Sequence, residues 1–432
     1  GQVQVRSLRR IARSLGSMTE NPLPQARSVF EPGTRGFTIV LSMAMAVTAL
    51  AIDTVLPAFP EIREHLGLSD DSTAVAGLVT TFLMGSGLGL LPAGLLADRF
   101  GRRPVLWGGL ALYGLGAIGA ALAPSLGLML IARFVWGLGA AGPRVVAVAV
   151  VRDVYEGKAM ARAMSFIMAV FLIIPIVAPS LGAAIAALGS WQLVVWFAVA
   201  YTLVVGLWAT RLPETLVAEN RSELRLRPML DAGREVVTNR QTVGYTMAMA
   251  FLFGAFSSYL ASSELVVGEI YGYPGAFPFV FGALAAGMGI AMLTNTKLVA
   301  RFGVRSTVRR AIFGYTTIAV GLLMLTLLTG GTPPFLLALI GLSAVLIMHA
   351  TMIPNLTTLA IEPLGHSAGT ASAIIGTISL AGGALLGSRI DRNMDDTITP
   401  LVIGFVVYGL IAAGFVAFAE AGRLEVVDPA AE

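Results

Sequence analysis

The chain has 432 residues, 56% hydrophobic and 12% charged, with a mean hydropathy of +0.81 and a formal charge of +4. That composition lies far from a water-soluble domain and requires lipid as part of the solvent. The absence of cysteine excludes disulfides, thiolate metal sites and a cysteine nucleophile; the 27 arginines and two lysines, Lys158 and Lys297, fall in short groups between apolar runs, which excludes a nucleic-acid surface.

Residues 1–35 carry Arg6, Arg9, Arg10, Arg13, Arg27 and Arg35 among Pro, Ser and Gly, and lack the apolar stretch and cleavage site of a signal peptide. They read as a cytoplasmic tail, with a short amphipathic helix over 3–15 as the other reading. Apolar runs follow near 36–60, 72–96, 105–123, 126–151, 160–187 and 191–210. After a polar linker, 211–241, come runs near 242–262, 276–299, 308–329, 333–359, 368–390 and 398–419, and then a C-terminal tail, 421–432. Each run is long enough to cross about 30 Å of hydrocarbon at about 1.5 Å per residue. Lipid leaves no water for unpaired amides, so runs of this length predict helices. The expected fold is an all-α integral membrane protein of twelve transmembrane helices, in two pseudo-symmetric halves spanning 36–210 and 242–420.

The arginines fall in alternate loops: Arg99, Arg102 and Arg103 after the second run, Arg152, Lys158 and Arg162 after the fourth, Arg211 to Arg240 after the sixth, and Lys297, Arg301, Arg305, Arg309 and Arg310 after the eighth. The positive-inside rule makes these loops and both termini cytoplasmic. The opposite loops are short, with Glu61, Asp70 and Asp71 in one and Gly330 to Pro334 in another. Glu264 is expected at the outer surface, and Asp391, with Arg389, Arg392, Asp395 and Asp396, in a locally neutralised outer loop. An internal repeat supports the two halves, because RFGRRPV at 99–105 returns as RFGVRST at 301–307, each after the second helix of its half.

The stretch Gly94, Leu95, Leu96, Ala97, Asp98, Arg99, Phe100, Gly101, Arg102, Arg103 matches in full the G-x-x-x-D-R-x-G-R-R loop of the major facilitator superfamily, which the chain resembles from about residue 40 to 390. A narrower resemblance to the Bcr/CflA-type drug:proton antiporters and amphenicol exporters rests on Asp53-Thr-Val-Leu-Pro57-Ala-Phe-Pro60, Arg133-Phe-Val-Trp-Gly137, Val151-Arg152-Asp153, Pro354-Asn355 and the run Ala368 to Ala373. The chain departs from the antiporters' fifth-helix G-x-x-x-G-P-x-x-G-G pattern. It has Ile174, Ala178, Pro179, Gly182 and Ala183 there, with Pro175 and Pro179 marking a hinge. The second-half loop has Ala300 where the Asp would fall and Thr296 for the first Gly.

Ionisable groups inside hydrocarbon cost about 2.5–3.5 kcal/mol each on insertion scales, so each needs a partner or a wet cavity. Asp53 and Arg133 both sit about 10 Å below the outer ends of their helices and are within reach of a pairing. The resemblance places their helices around the substrate cavity. Burial favours the neutral carboxylate and a nearby arginine the charged one, so a moving Arg133 would let Asp53 take and release the driving proton. The other readings are that Asp53 stabilises a helix end kinked by Pro57 and that Arg133 snorkels to the surface. Arg144 shares a face with Arg133, Gly137 and Ala140, and is either a contact for a carboxylate or phosphate or a solvated cation. Phe253, Phe256, Met352 and Asn355 are further substrate-lining candidates, and His349 is expected to be a hydrogen-bonded structural residue.

The resemblance implies a conformational switch at Gly94, Asp98, Arg99, Gly101, Arg102 and Arg103. There Asp98 would meet the positive N-terminus of the eleventh helix near Ser367, and Arg102 or Arg103 would pair with Asp153. The expected function is proton-driven export of small lipophilic compounds by a monomer in the bacterial inner membrane, with no cofactor or metal. Facilitated movement or import of a small, anionic metabolite is the alternative. The chain lacks the His-Glu-x-x-His and Walker signatures that would favour an enzyme or ATP-driven transport.

Overall fold

The computed structural model describes residues 31–217, 219, 221 and 226–421. The predicted tail at 1–30, the short helix considered at 3–15 and the tail at 422–432 lie outside the described residues. Among the described residues, twelve helices are long and apolar enough to cross a membrane. In chain order they are α1 (Arg35–His65), α2 (Thr73–Phe100), α3 (Arg102–Ala121), α4 (Leu126–Val154), α5 (Gly157–Ala186), α6 (Trp191–Ala209), α7 (Arg240–Ile270), α8 (Pro274–Phe302), α9 (Val304–Leu328), α10 (Phe335–Gly365), α11 (Ala368–Asp391) and α12 (Thr399–Glu420). No strand occurs among the described residues.

Consecutive spans alternate in direction, so every second loop lies at the end of the bundle where α1 begins, the basic face, named for its arginines. The other end is the far face. The polar linker holds a connector helix, Leu226–Thr238, that the composition of 211–241 did not announce. Two spans run past the ends that hydropathy suggested. Span α1 continues beyond residue 60 to His65, and α7 continues beyond 262 to Ile270, closing in a π-helical turn over Val266–Ile270.

With no hydrophobic drive between helices in lipid, close packing comes from small residues that let backbones touch. In the first half a Cβ on Gly116 would lie 2.4 Å from the Trp136 amide nitrogen, and one on Gly139 2.2 Å from that of Tyr113, so α3 and α4 meet backbone to backbone. Gly85 does the same between α2 and α4, at 2.1 Å from the Phe134 carbonyl. Side-chain donors then satisfy neighbouring carbonyls: the hydroxyls of Tyr113 and Tyr201 donate to Val47 and Met43 of α1, both at 3.0 Å.

The halves meet along α2 with α11 and α5 with α8. Gly87 is pressed against Ala381, the Thr377 hydroxyl donates to the Gly87 carbonyl at 2.8 Å, and Gly282 lies against the Ile176 carbonyl. At the far face Arg63 bonds Glu264 across the same divide at 2.7 Å. Toward the basic face no hydrogen bond or ion pair among the described residues joins the two halves directly. The bundle is therefore sealed at its far end.

Candidate functional site

The first span breaks where its sequence says it must. The α-helix ends at Asp53, a 3₁₀ turn runs over Leu56–Ala58 and helix resumes at Phe59–His65, because Pro57 and Pro60 have no amide to give the preceding turn. The Thr54 hydroxyl bonds back to Leu50 at 2.7 Å and the Val55 amide turns to Ile52, which leaves the Ala51 carbonyl without a helical donor. Arg133 fills that gap. Its Nη1 donates to Ala51 at 3.0 Å and its Nε to Leu78 of α2 at 3.1 Å, while its guanidinium sits 4.9 Å and 4.7 Å from the rings of Phe82 and Trp136. It is 2% exposed and neither snorkels nor pairs with Asp53.

Asp53 is 4% exposed and, among the described residues, receives no hydrogen bond or ion pair. Tyr259 of α7 lies within electrostatic range of it. From Tyr259 a run of ring contacts leads through Phe256 to Phe253, with His349 stacked on Phe256 at 4.8 Å and Phe281 stacked on Tyr259 at 5.9 Å. His349 holds that stack and, among the described residues, makes no hydrogen bond. A narrow pocket opens beside the same rings, lined by Tyr259, Val267, Phe277, Phe281, Phe335 and Leu342. An aromatic column partly exposed at Phe253 and Phe256, within electrostatic range of a carboxylate, can hold a lipophilic molecule, and a cationic one at its end.

The remaining candidates are distributed more widely. Gly137 packs helices here: a Cβ on it would lie 2.0 Å from the Phe82 carbonyl of α2. Met352 is fully buried. Asn355 exchanges amide bonds with Asn295 of α8, at 2.8 Å and 3.4 Å, and donates to the Thr351 carbonyl at 2.7 Å, so its polar atoms are committed to holding α10 against α8. Arg144 is half-buried and makes no hydrogen bond or ion pair among the described residues. Both Pro175 and Pro179 lie inside the continuous α5, and Gly182 touches the break in α1, where a Cβ would sit 2.0 Å from the Thr54 carbonyl.

At the basic face Arg102 is the hub. It bonds Asp98 at 2.6 Å and Asp153 at 2.8 Å, while Arg103 reaches the Thr210 carbonyl at 3.0 Å. Asp98 does not meet the start of α11 in this conformation. Two linker acids that the sequence reading left aside occupy the helix-start positions. Glu214 accepts from the amides of Arg102 and Arg103 at 2.8 Å and 3.1 Å, capping α3, and Glu235 of the connector helix accepts from the Ser367 hydroxyl before α11. Gly101 permits the first cap twice over, with φ of 103° and with space that a Cβ would take 2.5 Å from the Glu214 carboxylate. Around Gly94 nothing lies within 4 Å of an added Cβ, and Arg99 lies in the last turn of α2.

Two outer-loop expectations change. Glu264 and Asp391 are 3% and 4% exposed and lie inside the far-face seam. Hydropathy ends a run at the first charge; a charge neutralised by a partner far along the chain leaves no local signal of that partner.

A family model described as Major Facilitator Superfamily matches residues 41–388. An uncharacterized MFS-type transporter, YdgK, from Bacillus subtilis is 30% identical over 387 residues, covering 88% of this chain and 93% of its own. A bicyclomycin resistance protein homolog from Haemophilus influenzae is 29% identical, covering 85% and 91%. The multidrug resistance protein MdtL of Escherichia fergusonii is 27% identical, covering 80% and 86%. Among solved structures, the xylose transporter XylE from E. coli superposes with a TM-score of 0.68 at 15% identity, over 90% of this chain and 99% of that one. Twelve spans in two halves, the Asp98–Arg102–Asp153 hub between α2, α3 and α4, and these matches together place the chain in the major facilitator superfamily of transporters.

Proposed function

We propose that this transporter exports small lipophilic compounds in exchange for protons, acting as a monomer in a bacterial inner membrane with its basic face and both termini cytoplasmic. The observation that carries this reading is Asp53: a membrane-embedded carboxylate without a partner, at the break of α1, beside the aromatic column of the opposite half. A carboxylate so placed needs a proton, a cation or water, and alternating access supplies each in turn. A compound and a proton that compete for it are exchanged. The relatives named for multidrug and bicyclomycin resistance support the same substrate class, and the positive-inside rule supports the orientation. Arg133 acts by holding the broken turn of α1, and through it the position of Asp53.

The test is drug uptake driven by a pH gradient in proteoliposomes, wild type against Asp53→Asn, with a panel of lipophilic drugs and amphenicols. The expected outcome is drug-linked proton flux in wild type, and a variant that still binds drug but no longer couples it to protons. An Asn variant that couples as well as wild type would remove Asp53 from the mechanism. The unpaired guanidinium of Arg144 favours a second reading, a facilitator for an anionic metabolite. For that reading Arg144→Gln should abolish uptake of an anion that wild type carries without a pH gradient.

A further inference from the structure

The far-face seam brings together one cation and two acids from distant parts of the chain. Arg63, in the resumed helix of α1, is 1% exposed. Its Nη2 bonds Glu264 at 2.7 Å and its Nε the Ser72 carbonyl at 3.2 Å, but its Nη1 has no partner among the described residues. Asp391, the last residue of α11, accepts from the Ser258 hydroxyl at 2.6 Å through Oδ1, and its Oδ2 has no partner among the described residues. Arg63 and Asp391 line one small pocket, with Ser262 and Thr73 on its wall. Other titratable groups around the cluster are Glu269 of α7, within electrostatic range of Glu264 but exposed, Arg389 on the same helix as Asp391, also exposed, and Tyr408 of α12, whose hydroxyl is committed to the Leu386 carbonyl at 2.9 Å. The α2 segments packed against Asp391 bring no charge.

One guanidinium cannot neutralise two carboxylates, and an uncompensated charge in a dry seam is expensive. Opening the seam separates Arg63, on the first half, from Glu264 and Asp391, both on the second, and admits water that can solvate all three. We propose that closing the far face binds one proton, held on Asp391, so that the Arg63–Glu264–Asp391 cluster is buried with no net charge. The closed state then holds one proton more than the open state, and closure is favoured as pH falls, by up to about tenfold in the closed-to-open ratio per pH unit. The proton comes from whichever solution the far face meets, which on the orientation proposed above is the outside. Asp391 is thereby a proton site separate from Asp53, on the opposite half of the molecule.

The cysteine-free sequence allows a direct test. Spin labels on Ser69→Cys and Thr329→Cys, one on each half at the far face, report opening of the full-length protein in lipid nanodiscs by double electron–electron resonance between pH 5 and 8. In wild type the short-distance population should grow as pH falls. Asp391→Asn, neutral at every pH, should stay closed throughout, with the pH response lost. Ser258→Ala removes a bond that favours the ionised carboxylate, and should move the midpoint up by about one pH unit, which tests the assignment even if Asp391→Asn fails to fold. A wild-type distribution that ignores pH, an Asp391→Asn response equal to wild type, or an unmoved Ser258→Ala midpoint overturns the proposal. Failure of Asp53→Asn to uncouple drug from protons bears on the transport reading alone.

Discussion

Arg133 shows how a single residue can combine two roles that look opposed in sequence. It is a cation in hydrocarbon, yet its bonds go to backbone carbonyls of two helices, and its guanidinium lies against the rings of both Phe82 and Trp136. A guanidinium supplies several donors in fixed directions along with a flat face for ring contact, and an ammonium supplies neither. Arg133→Lys should therefore lose at least one carbonyl bond and destabilise the first half by about 1–3 kcal/mol. Thermal unfolding in detergent measures this, and an unchanged melting temperature would show that the bonds to Ala51 and Leu78 contribute nothing. His349 and Asn355 carry a related lesson: residue type says that a side chain is polar, whereas only its neighbours say whether it is committed. Asn355 is committed to Asn295, and His349 to a ring stack.

At the scale of helices, glycine positions separate fixed contacts from those that change. Gly182 holds α5 against the broken turn of α1, where an added methyl would meet the Thr54 carbonyl. Gly182→Ala should cost about 1–3 kcal/mol through forced separation of the two helices. Gly94 stands in open space despite belonging to the family loop motif. Gly94→Ala should leave thermal stability within about 0.5 kcal/mol of wild type, as for a position without contacts in this state. The pair is compared by melting temperature and yield of folded protein; equal losses at both positions would contradict the packing described. Sequence reading recognised Gly94 by its motif and Gly182 as a remnant of the fifth-helix pattern, but spacing alone gave no means to rank them.

Across the whole molecule, the linker decides which acids occupy the helix starts at the basic face. Glu235 holds Ser367 ahead of α11, and Asp98 is turned to Arg102. Removing the linker contact should free the start of α11 for Asp98 and shift the population toward closure at the basic face. Glu235→Gln weakens that bond without changing its size, and spin labels placed on the two halves at the basic face should report a larger short-distance fraction than in wild type. An unaltered distance distribution would mean that the connector helix does not bias the switch. Its far-face counterpart is the Arg63–Glu264 bond, so each end of the bundle has its own polar contact, and the two ends need not be closed together.

The sequence by itself determined the twelve spans, their alternating direction, the two-half plan and the family. Each follows from length, hydropathy or a short contiguous motif. It also marked Asp53, Arg133 and Arg144, because a charge inside an apolar run stands out locally. Only the tertiary structure decided that Arg133 serves Ala51 and Leu78 rather than Asp53, and that α1 and α7 continue far enough to bury Arg63 against Glu264. It likewise placed Asp391 in a seam rather than a loop, and put Glu214 and Glu235 at helix starts. The physical reason is the same in each case. A charge at the end of an apolar run ends the hydropathy signal whether it meets water or a partner some 200 residues away, and only the folded chain brings that partner into range.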